Sequence, residues 1–437
     1  MARRSPLLRD HEQAEALLET YGPIEPAASA RGASAPSPGA TGSPRPDPVR
    51  VVQTFGDVDL EYAAIRRGCG LMDVPMRGTI EVTGADRLEF LGRMLTQELK
   101  GFSPWHVRPS FWLSRRGRVE ADLRLIQLPD RLWLDVDVHA AARTLEGLSS
   151  FVIAEDCSLV DRTQDMHRLA LHGPSSSALL AAASEHRAGE ELGAIREGRS
   201  ALVEIAGHEV IVDRHDTAGE IGLNLLMPVD AVRPVWERLI EIGCPALEDA
   251  LSLTSPPYHM RPIGWAAYNV ARIESGTPLY YLDFGPDSLP HETGVMDLRV
   301  SFTKGCYLGQ EIVARMQALG KPKQVLAAIK LPTGHLSTGS DPSADADVPE
   351  VLQPITGAAV FLAPEGSTPA PGARPSEGAE PVGAVTSSAV SPMLGGTPIC
   401  LAMLKTAVAT PGRRVLVDVG GGMLEGIVLE GLRAWKR

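Results

Sequence analysis

The stretch Lys304-Gly-Cys-Tyr-Leu-Gly-Gln-Glu311 is the most informative part of this 437-residue sequence. Ile312 and Val313 follow it as the start of a buried helix face, which places Cys306 just before a predicted helix N-terminus. Free N–H groups at a helix start favour a thiolate, and Lys304 adds a positive charge if both side chains share a face. The pattern indicates a nucleophile or a metal ligand. A small buried core residue is the alternative for a lone free cysteine.

Strands and helices alternate in the sequence before this stretch. Residues 78–83 alternate apolar and polar side chains as a half-buried strand does, and Asp86 with Glu89 indicates a capping box at the start of a helix. Residues 201–212 predict two strands joined at Ala206-Gly207. A helix with an apolar face follows, formed by Val232, Val235, Trp236 and Leu239. Antiparallel strands mixed with helices predict an α+β fold.

Low-complexity segments divide the chain. Residues 22–48 are rich in Ala, Pro, Ser and Gly and predict a flexible insert, preceded by a short helix within residues 7–21. After Lys323, short β-rich pieces with Gly and Pro turns predict a small barrel or sandwich, with irregular inserts near 332–354 and 364–381. We therefore expect an N-terminal region over 1–50, an α+β region of two subdomains over 51–323, and a β domain over 324–437.

Composition narrows the possible classes of protein. The formal net charge of −12 disfavours direct nucleic-acid binding and an anionic-membrane binder. The five cysteines are scattered without a C-x-x-C pair, which is typical of a reducing compartment, and the N-terminus lacks the apolar run of a signal peptide. No histidine spacing matches a zinc motif. We expect a cytoplasmic protein without a metal site, and we make no prediction of its oligomeric state.

Further sequence blocks agree in order with one known family. They are Cys69-Gly-Leu-Met-Asp-Val74, Leu169-Ala-Leu-His-Gly-Pro174, Ala271-Arg-Ile-Glu-Ser-Gly-Thr-Pro278 and Gly383-Ala-Val-Thr-Ser-Ser388. Together with the stretch from Lys304 to Glu311, they resemble the YgfZ family, relatives of the glycine-cleavage T protein that bind folate. The resemblance extends from about residue 51 to near the end of the chain, and the inserts show none.

The resemblance implies a fold, a cofactor and a role. It implies two folate-enclosing α+β domains and a C-terminal β-barrel in a ring, with tetrahydrofolate or another reduced folate in the centre. The implied role is support of iron–sulfur cluster assembly or repair, with indirect effects on tRNA modification and with iron–sulfur proteins or assembly factors as partners. There Cys306 contacts a cluster intermediate or a one-carbon adduct. The alternatives are a tetrahydrofolate-dependent aminomethyltransferase or methyltransferase, and a non-catalytic interaction protein.

Asp122 is the first site residue that the resemblance implies. The aminomethyltransferase strand G-G-I-I-D-D ends in an aspartate that orients or deprotonates a folate nitrogen. Here the matching stretch is Gly117-Arg-Val-Glu-Ala-Asp122, with Ala121 in place of the first aspartate. A carboxylate near a folate nitrogen accepts a proton or stabilises a cationic intermediate. A solvent-facing strand position is the alternative, since Leu123 and Leu125 flank Asp122 at alternating positions.

The other implied folate contacts depart from the family pattern. Glu209 matches one acidic position, whereas Asn224 replaces the residue that holds the pterin in the transferases, and Glu220 lies close by to compensate. An asparagine pairs with one donor and one acceptor but lacks the charge that strengthens such a bond. For Glu209 and Glu220, solvated strand carboxylates are the alternative.

Tyr268 replaces the arginine that the transferase block G-A-R-D-x-x-R-L-E supplies for substrate. A phenol cannot make the bidentate grip of a guanidinium, so this difference favours the YgfZ branch. Arg272 and Glu274 of the block are kept. They form either a structural pair or a folate contact, with Arg272 facing the glutamate tail.

Overall fold

The computed structural model describes residues 3–22, 48–244, 258–332, 352–364, 378–420 and 422–434. The insert predicted for residues 22–48, and most of those near 332–354 and 364–381, lie outside these ranges. The helices are α1 (Leu8–Gln13), α2 (Val58–Arg67), α3 (Arg87–Met94), α4 (Val138–Ser149), α5 (Ser176–Ala183), α6 (Val232–Gly243), α7 (Trp265–Ser275), α8 (Met296–Arg299) and α9 (Gln310–Leu319).

Strands make up most of the remaining regular structure. They are β1 (Leu17–Tyr21), β2 (Val49–Thr54), β3 (Cys69–Asp73), β4 (Arg77–Thr83), β5 (Val107–Leu113), β6 (Val119–Gln127), β7 (Leu132–Asp137), β8 (Ser158–Asp161), β9 (Met166–His172), β10 (Glu185–Gly189), β11 (Ser200–Ile205), β12 (His208–Arg214), β13 (Gly222–Pro228), β14 (Met260–Pro262), β15 (Gln324–Lys330), β16 (Ala359–Leu362), β17 (Gly383–Ser391), β18 (Thr397–Lys405), β19 (Arg414–Asp418) and β20 (Met423–Val428).

The chain forms two compact units. The first contains the described residues up to Ala271 together with Val295–Ala314, and the second contains the described residues of Arg272–Gly294 and Arg315–Arg437. The second unit thus includes a segment that precedes the boundary predicted near residue 323. Within the described ranges, no helix combines the length and hydrophobicity that a membrane crossing requires.

The first unit contains two large sheets, one mixed and one antiparallel, together with the antiparallel pair β1-β2. One has the order β10-β11-β12-β13-β9-β3-β14 and the other the order β5-β6-β7-β4-β8, which confirms the α+β prediction. The predicted hairpin is confirmed as β11 and β12, where Ile205 faces His208. The two residues between them, Ala206 and Gly207, both have positive φ angles of 49° and 79°, as a tight turn of this length requires.

Strand β6 shows how the sequence places polar groups on one face. Its odd-numbered apolar residues Val119, Ala121, Leu123 and Leu125 are buried. Successive side chains of a strand point to opposite faces, so Glu120, Asp122 and Arg124 share the other face. The core under one face fixes the register and therefore the direction of these three polar side chains.

One local prediction is confirmed in part and another was wrong. The short helix predicted within residues 7–21 is present as Leu8–Gln13, but Leu17–Tyr21 is a strand because it pairs with Val49–Thr54, so long-range pairing outweighs its helical spacing. The capping box at Asp86 is absent because this side chain makes no capping bond to α3. Asp86 Oδ2 instead accepts a hydrogen bond from the backbone N–H of Asp156 at 2.8 Å.

The second unit contains a closed barrel with the strand order β15-β18-β17-β16-β19-β20. This confirms the small terminal β domain. Its interior consists of aliphatic side chains, among them Ile329, Val360, Leu404 and Val415, each buried. Strand β18 was not predicted from the sequence. Most of its residues are uncharged and buried, so the strand does not show the alternation of apolar and polar residues that marks a half-buried strand.

Candidate functional site

An ion pair on strand β6 forms the centre of the candidate site. Arg299 Nε donates to Asp122 Oδ1 at 2.6 Å and Arg299 Nη2 donates to Asp122 Oδ2 at 3.1 Å. The guanidinium also lies over the ring of Phe111, 5.6 Å from its centre. The Asp122 side chain keeps 15% exposure and the Arg299 side chain 12%. Sequence reasoning missed Arg299 because 177 positions separate the partners, and no local pattern links them.

Asp122 keeps hydrogen-bonding capacity despite this pair. An ionised carboxylate has about four acceptor positions on its two oxygens, and Arg299 uses two of them. The remaining positions and the partial exposure allow the carboxylate to accept a hydrogen bond from an N–H group of a ligand. Arg299 restricts the direction in which it does so, because a bidentate pair fixes the plane of the carboxylate.

A second polar group lies two residues further along the same face of β6. Arg124 Nε donates to Asp213 Oδ1 at 2.6 Å, and Asn224 Nδ2 donates to Asp213 Oδ2 at 3.3 Å. Asp213 is only 1% exposed. Arg124 and Asp213 therefore link the face of β6 that carries Asp122 to Asn224 on β13. Asn224 itself has no carboxylate, but Asp213 lies directly opposite it on β12. Arg124 neutralises the charge of Asp213.

Two further titratable groups belong to this region. Burial, with the nearby charges of Arg124 and Arg299, holds the pKa of His215 well below its ordinary value, so the imidazole is neutral at neutral pH. Glu197 is half exposed, and its Oε2 lies 3.9 Å from Arg124 Nη2. Glu197 Oε1 accepts from the backbone N–H of Asp216 at 2.5 Å. No sequence pattern distinguishes His215 from the other histidines, since its environment depends on cations from distant parts of the chain.

The other two predicted folate carboxylates lie elsewhere. Glu209 is exposed on β12 and faces Glu204 on β11. Four residues separate Glu209 from Asp213, which corresponds to roughly 13 Å along a strand. Glu220 is partly buried in the loop between β12 and β13. The structure therefore does not place Glu209 beside Asp122, and its folate contact stays a prediction, as does that of Glu220.

Tyr268 is almost buried within the first unit. Its hydroxyl donates to Thr217 Oγ1 at 3.1 Å, and its ring centre lies 5.1 Å from that of His172. Burial lowers the pKa of His172 to about 4. A phenol at this position cannot make the bidentate contact with a carboxylate that a guanidinium makes.

Arg272 is enclosed in the second unit. Its Nη1 donates to Asp283 Oδ2 and its Nη2 donates to Ser387 Oγ at 2.6 Å. The Arg272 side chain is 1% exposed and the Asp283 side chain is 0% exposed. Glu274 accepts a hydrogen bond from Ser391 of the barrel. These contacts anchor the end of α7 to strand β17, and the folate contact of Arg272 stays a prediction.

Cys306 lies on a loop anchored on both sides. Lys304 Nζ donates to the carbonyl oxygens of Gly92, Leu95 and Gln97 at 2.7, 2.6 and 2.9 Å, and Tyr307 is buried. Between them Cys306 is exposed, so the alternative of a buried core cysteine is wrong.

The position of this cysteine before a helix is confirmed, because α9 begins at Gln310. Burial lowers the pKa of Lys304 to about 8. Its three donors are used by carbonyl groups around the end of α3, where helix carbonyls lack internal partners. Activation of the Cys306 thiol by Lys304 therefore stays a prediction, whereas anchoring of the loop is what the contacts show. In the described part of the chain, no group of three or more His, Cys, Asp or Glu side chains is arranged to hold a metal ion.

Comparison with known protein families identifies two matching domains in this chain. The GCVT N-terminal domain matches residues 46–304, and the glycine cleavage T-protein C-terminal barrel domain matches residues 358–431. The chain belongs to the glycine cleavage T-protein family, whose members use tetrahydrofolate.

Curated relatives support this assignment, and a solved structure shares the fold. The aminomethyltransferase of Caldanaerobacter subterraneus subsp. tengcongensis is 26% identical over 294 residues, which cover 67% of this chain and 74% of the relative. That of Geobacillus kaustophilus is 26% identical over 374 residues, covering 85% and 88%. The crystal structure of glycine cleavage system aminomethyltransferase T from Bartonella henselae superposes with a TM-score of 0.72 at 20% identity, covering 98% of this chain and 97% of that one. The predicted fold is confirmed.

Proposed function

We propose that this chain binds tetrahydrofolate and transfers an aminomethyl or methyl group in a folate-dependent reaction. The observation that carries the proposal is Asp122, which occupies the position of the family's second aspartate and keeps free acceptor positions on a partly exposed carboxylate. The relatives named aminomethyltransferase favour this activity over the iron–sulfur role.

The chemistry asks for a proton acceptor beside the folate nitrogens. In transfer from an aminomethyl thioether, R–S–CH₂–NH₂, the methylene carbon forms bonds to N5 and N10 of tetrahydrofolate, while its bonds to sulfur and to the amino nitrogen break. The products are methylene-tetrahydrofolate, the thiol and ammonia, and the two N–H protons of the folate end on the sulfur and on the amino group. Asp122 is the group that orients or accepts such a proton, and Arg299 fixes its plane.

Two substitutions concern the two ligands of the reaction: Tyr268 concerns the donor and Asn224 concerns the folate. Tyr268 gives no bidentate grip on a donor carboxylate, and Asn224 offers the pterin an uncharged amide beside the neutralised Asp213. We therefore propose a donor without a carboxylate at the Tyr268 position and a pterin held by neutral hydrogen bonds.

Tetrahydrofolate titration followed by a turnover assay tests the proposal. Calorimetry gives the affinity, and production of methylene-tetrahydrofolate from an aminomethyl donor gives the rate. Loss of Asp122 as proton acceptor is expected to lower the rate by about 10² to 10⁴-fold in Asp122→Asn. The matched control is Glu120→Gln on the same face of β6, whose partner is Arg143 at 3.5 Å. Equal rates in the two variants would contradict the role of Asp122, and a flat titration at millimolar folate would leave only an interaction protein.

The second candidate function is the YgfZ-type support of iron–sulfur enzymes. The exposure of Cys306 on an anchored loop favours it, since an accessible thiol is what a cluster intermediate requires. The test is complementation of a strain lacking the endogenous protein, scored by the activity of an iron–sulfur enzyme. Cys306→Ala is expected to abolish complementation, whereas the control Cys157→Ala, at a partly buried cysteine, is not. Full complementation by Cys306→Ala would exclude this candidate.

A further inference from the structure

A cavity with a volume of about 550 Å³ lies where the N-terminal segment, residues 3–13, packs on the start of strand β9. Cavities of roughly 300 to 1,000 Å³ that carry a few polar groups are the usual binding sites for small molecules. The polar residues that line this one are Arg3, Arg4, Thr163, Gln164 and His167. None of them belongs to the site around Asp122, so the cavity is a separate feature of the first unit.

Arg3 is a buried cation whose direct partners are uncharged. It is 6% exposed, and its guanidinium donates to the backbone carbonyls of Thr163 and Met166, the second at 3.1 Å. Its Nη2 also donates to Nδ1 of His167 at 3.3 Å, and this imidazole is neutral at neutral pH because burial lowers its pKa.

These contacts leave part of the Arg3 guanidinium unused. An arginine has five N–H donors, and three of them are engaged here. The Nε atom is buried without a hydrogen-bond partner. No carboxylate among the described residues pairs with Arg3 directly. A buried charge without a paired counter-charge is costly, so this environment favours an anion beside Arg3.

Asp73 lies on the far side of His167 from Arg3. Because Nδ1 of His167 accepts from Arg3, its Nε2 carries the proton of the neutral ring and donates to Asp73 Oδ1 at 2.6 Å. The other oxygen of Asp73 accepts from Ser5 Oγ and contacts His11 Nε2, the latter at 2.9 Å. The negative charge of Asp73 is therefore shared by three partners, and this residue does not line the cavity.

Two acidic side chains lie in the same stretch of chain as the cavity wall, and both have partners. Asp161 Oδ1 accepts a hydrogen bond from the backbone N–H of Thr163 at 2.8 Å. Asp165 Oδ2 accepts from Arg162 Nη1 at 3.3 Å. Neither carboxylate lines the cavity. The charged side chains that face it are therefore cationic.

A second guanidinium and apolar surface complete the wall. Arg4 is exposed, lines the cavity next to Arg3, and has no ion-pair partner among the described residues. Pro6, Met166 and Val229 add apolar surface. The cavity thus combines two positive charges with an apolar wall, which suits a ligand that has an anionic group on an organic body.

We propose that this cavity binds a small phosphate ester, with the phosphate group held by Arg3 and Arg4. The N–H donors of a guanidinium match the oxygens of a phosphate, and two guanidinium groups match the double negative charge of a phosphate monoester better than the single charge of a carboxylate. The volume of about 550 Å³ leaves room for the organic part of the ester against the apolar wall. This inference goes beyond the proposed one-carbon transfer, because it assigns a second ligand to a separate site.

Binding in this cavity is coupled to the position of the N-terminal segment. The phosphate contacts arginines of that segment, whereas Met166 and Val229 of the opposite wall belong to other parts of the first unit. A ligand that contacts both parts stabilises their packing by mass action. Bound ligand is therefore expected to raise the thermal transition of the protein and to slow amide hydrogen exchange in residues 3–13.

Calorimetric titration of the full chain with adenosine monophosphate (AMP), inorganic phosphate and adenosine tests the proposal. We expect AMP to bind, inorganic phosphate to compete with it more weakly, and adenosine not to bind. Arg4→Gln is expected to weaken AMP binding by about 5-fold, as the loss of one exposed ion pair does. Arg3→Gln is expected to weaken it by about 10- to 100-fold, because buried hydrogen bonds to a charged group are stronger. The control is Arg9→Gln, at an exposed arginine of the same segment that does not line the cavity.

Arg3 also anchors the N-terminal segment, so the exposed Arg4 provides the variant that keeps this packing. Equal AMP affinity in Arg4→Gln and Arg9→Gln would overturn the proposal, as would a flat AMP titration or equal binding of adenosine. Saturating tetrahydrofolate is expected not to displace AMP, and displacement would overturn the proposal by placing the nucleotide in the folate site. Failure of tetrahydrofolate to bind would contradict the proposed function alone, because AMP binding is measured independently of it.

Discussion

Two arginine–aspartate pairs occupy different environments in this molecule. In the first unit, Asp122 and Arg299 keep 15% and 12% of their side-chain surface exposed. In the second unit, Arg272 and Asp283 keep 1% and 0%. Asp122 and Arg272 were both predicted to contact folate from the sequence. The same kind of ion pair is thus partly open to solvent at Asp122 and Arg299 and enclosed at Arg272 and Asp283.

The difference lies in what surrounds each pair. The oxygens of Asp283 accept hydrogen bonds from Arg272, Ser387, Thr386 and the backbone N–H of Leu279, which leaves no direction for a ligand. Asp122 has Arg299 on one side and solvent on another. Removal of one partner from an enclosed pair leaves an unpaired charge in the protein interior, whereas water compensates at an open pair.

The largest expected effect breaks the enclosed pair. Asp283→Ala leaves the Arg272 guanidinium buried without its carboxylate, and we expect a loss of about 3 to 5 kcal/mol in the free energy of unfolding. Asp122→Ala is the matched variant at the open pair, and we expect a smaller loss of about 1 to 3 kcal/mol, because water reaches part of this pair. Guanidinium denaturation of both variants measures the difference. Similar losses at the two sites would show that exposure does not separate the pairs.

Sequence patterns predicted the secondary-structure elements better than they predicted which strands pair with each other. The hairpin at Ala206-Gly207 was predictable because its turn chemistry and alternation are local. The strand at Leu17–Tyr21 was not, since its partner Val49–Thr54 lies beyond the insert. The terminal barrel was predictable as a class from short strands and Gly/Pro turns, without the position of every strand.

The candidate site shows the same limit more sharply. Family blocks pointed to Asp122 and Asn224, and the structure links the face of β6 that carries Asp122 to Asn224 on β13 through Arg124 and Asp213. They gave no sign of Arg299, whose pairing with Asp122 depends on how a distant segment packs on β6. No local sequence pattern shows how exposed an arginine side chain is. Arg272 therefore matched a contact to the glutamate tail of folate in the sequence, although the structure encloses it.

A smaller effect tests whether burial also controls the protonation of a histidine in the first unit. His172 is buried beside Tyr268, and burial lowers its pKa to about 4. In the unfolded chain His172 binds a proton below its ordinary pKa of about 6.5, whereas in the folded chain it does so only below about pH 4. The free energy of unfolding therefore falls as the pH falls from about 6.5 to about 4. This histidine accounts for a loss of about 2 kcal/mol between pH 7 and pH 5.

We expect His172→Gln to remove that share of the pH dependence. Denaturation of the unaltered protein and of the variant at pH 7 and at pH 5 gives the change in the free energy of unfolding between the two pH values. We expect this change to be smaller in the variant. The matched control is His186→Gln, which removes an exposed imidazole instead. An unaltered pH dependence in His172→Gln would mean that this ring is not shielded from water.

The smallest expected effect concerns Tyr268, a candidate folate contact that the structure nearly encloses. Tyr268→Phe removes the hydrogen bond to Thr217 Oγ1 and keeps the ring that packs on His172, so we expect a loss of about 1 kcal/mol in the free energy of unfolding. If the hydroxyl acts only within the fold, the affinity for tetrahydrofolate changes by less than about twofold, which is under about 0.5 kcal/mol. Denaturation and folate titration of the same sample measure both quantities, with Tyr258→Phe as the control for loss of a partly buried phenol. A tenfold weaker affinity at unchanged stability would instead place the Tyr268 hydroxyl among the groups that contact the folate, and the enclosed environment of this tyrosine would then have to open when the ligand binds.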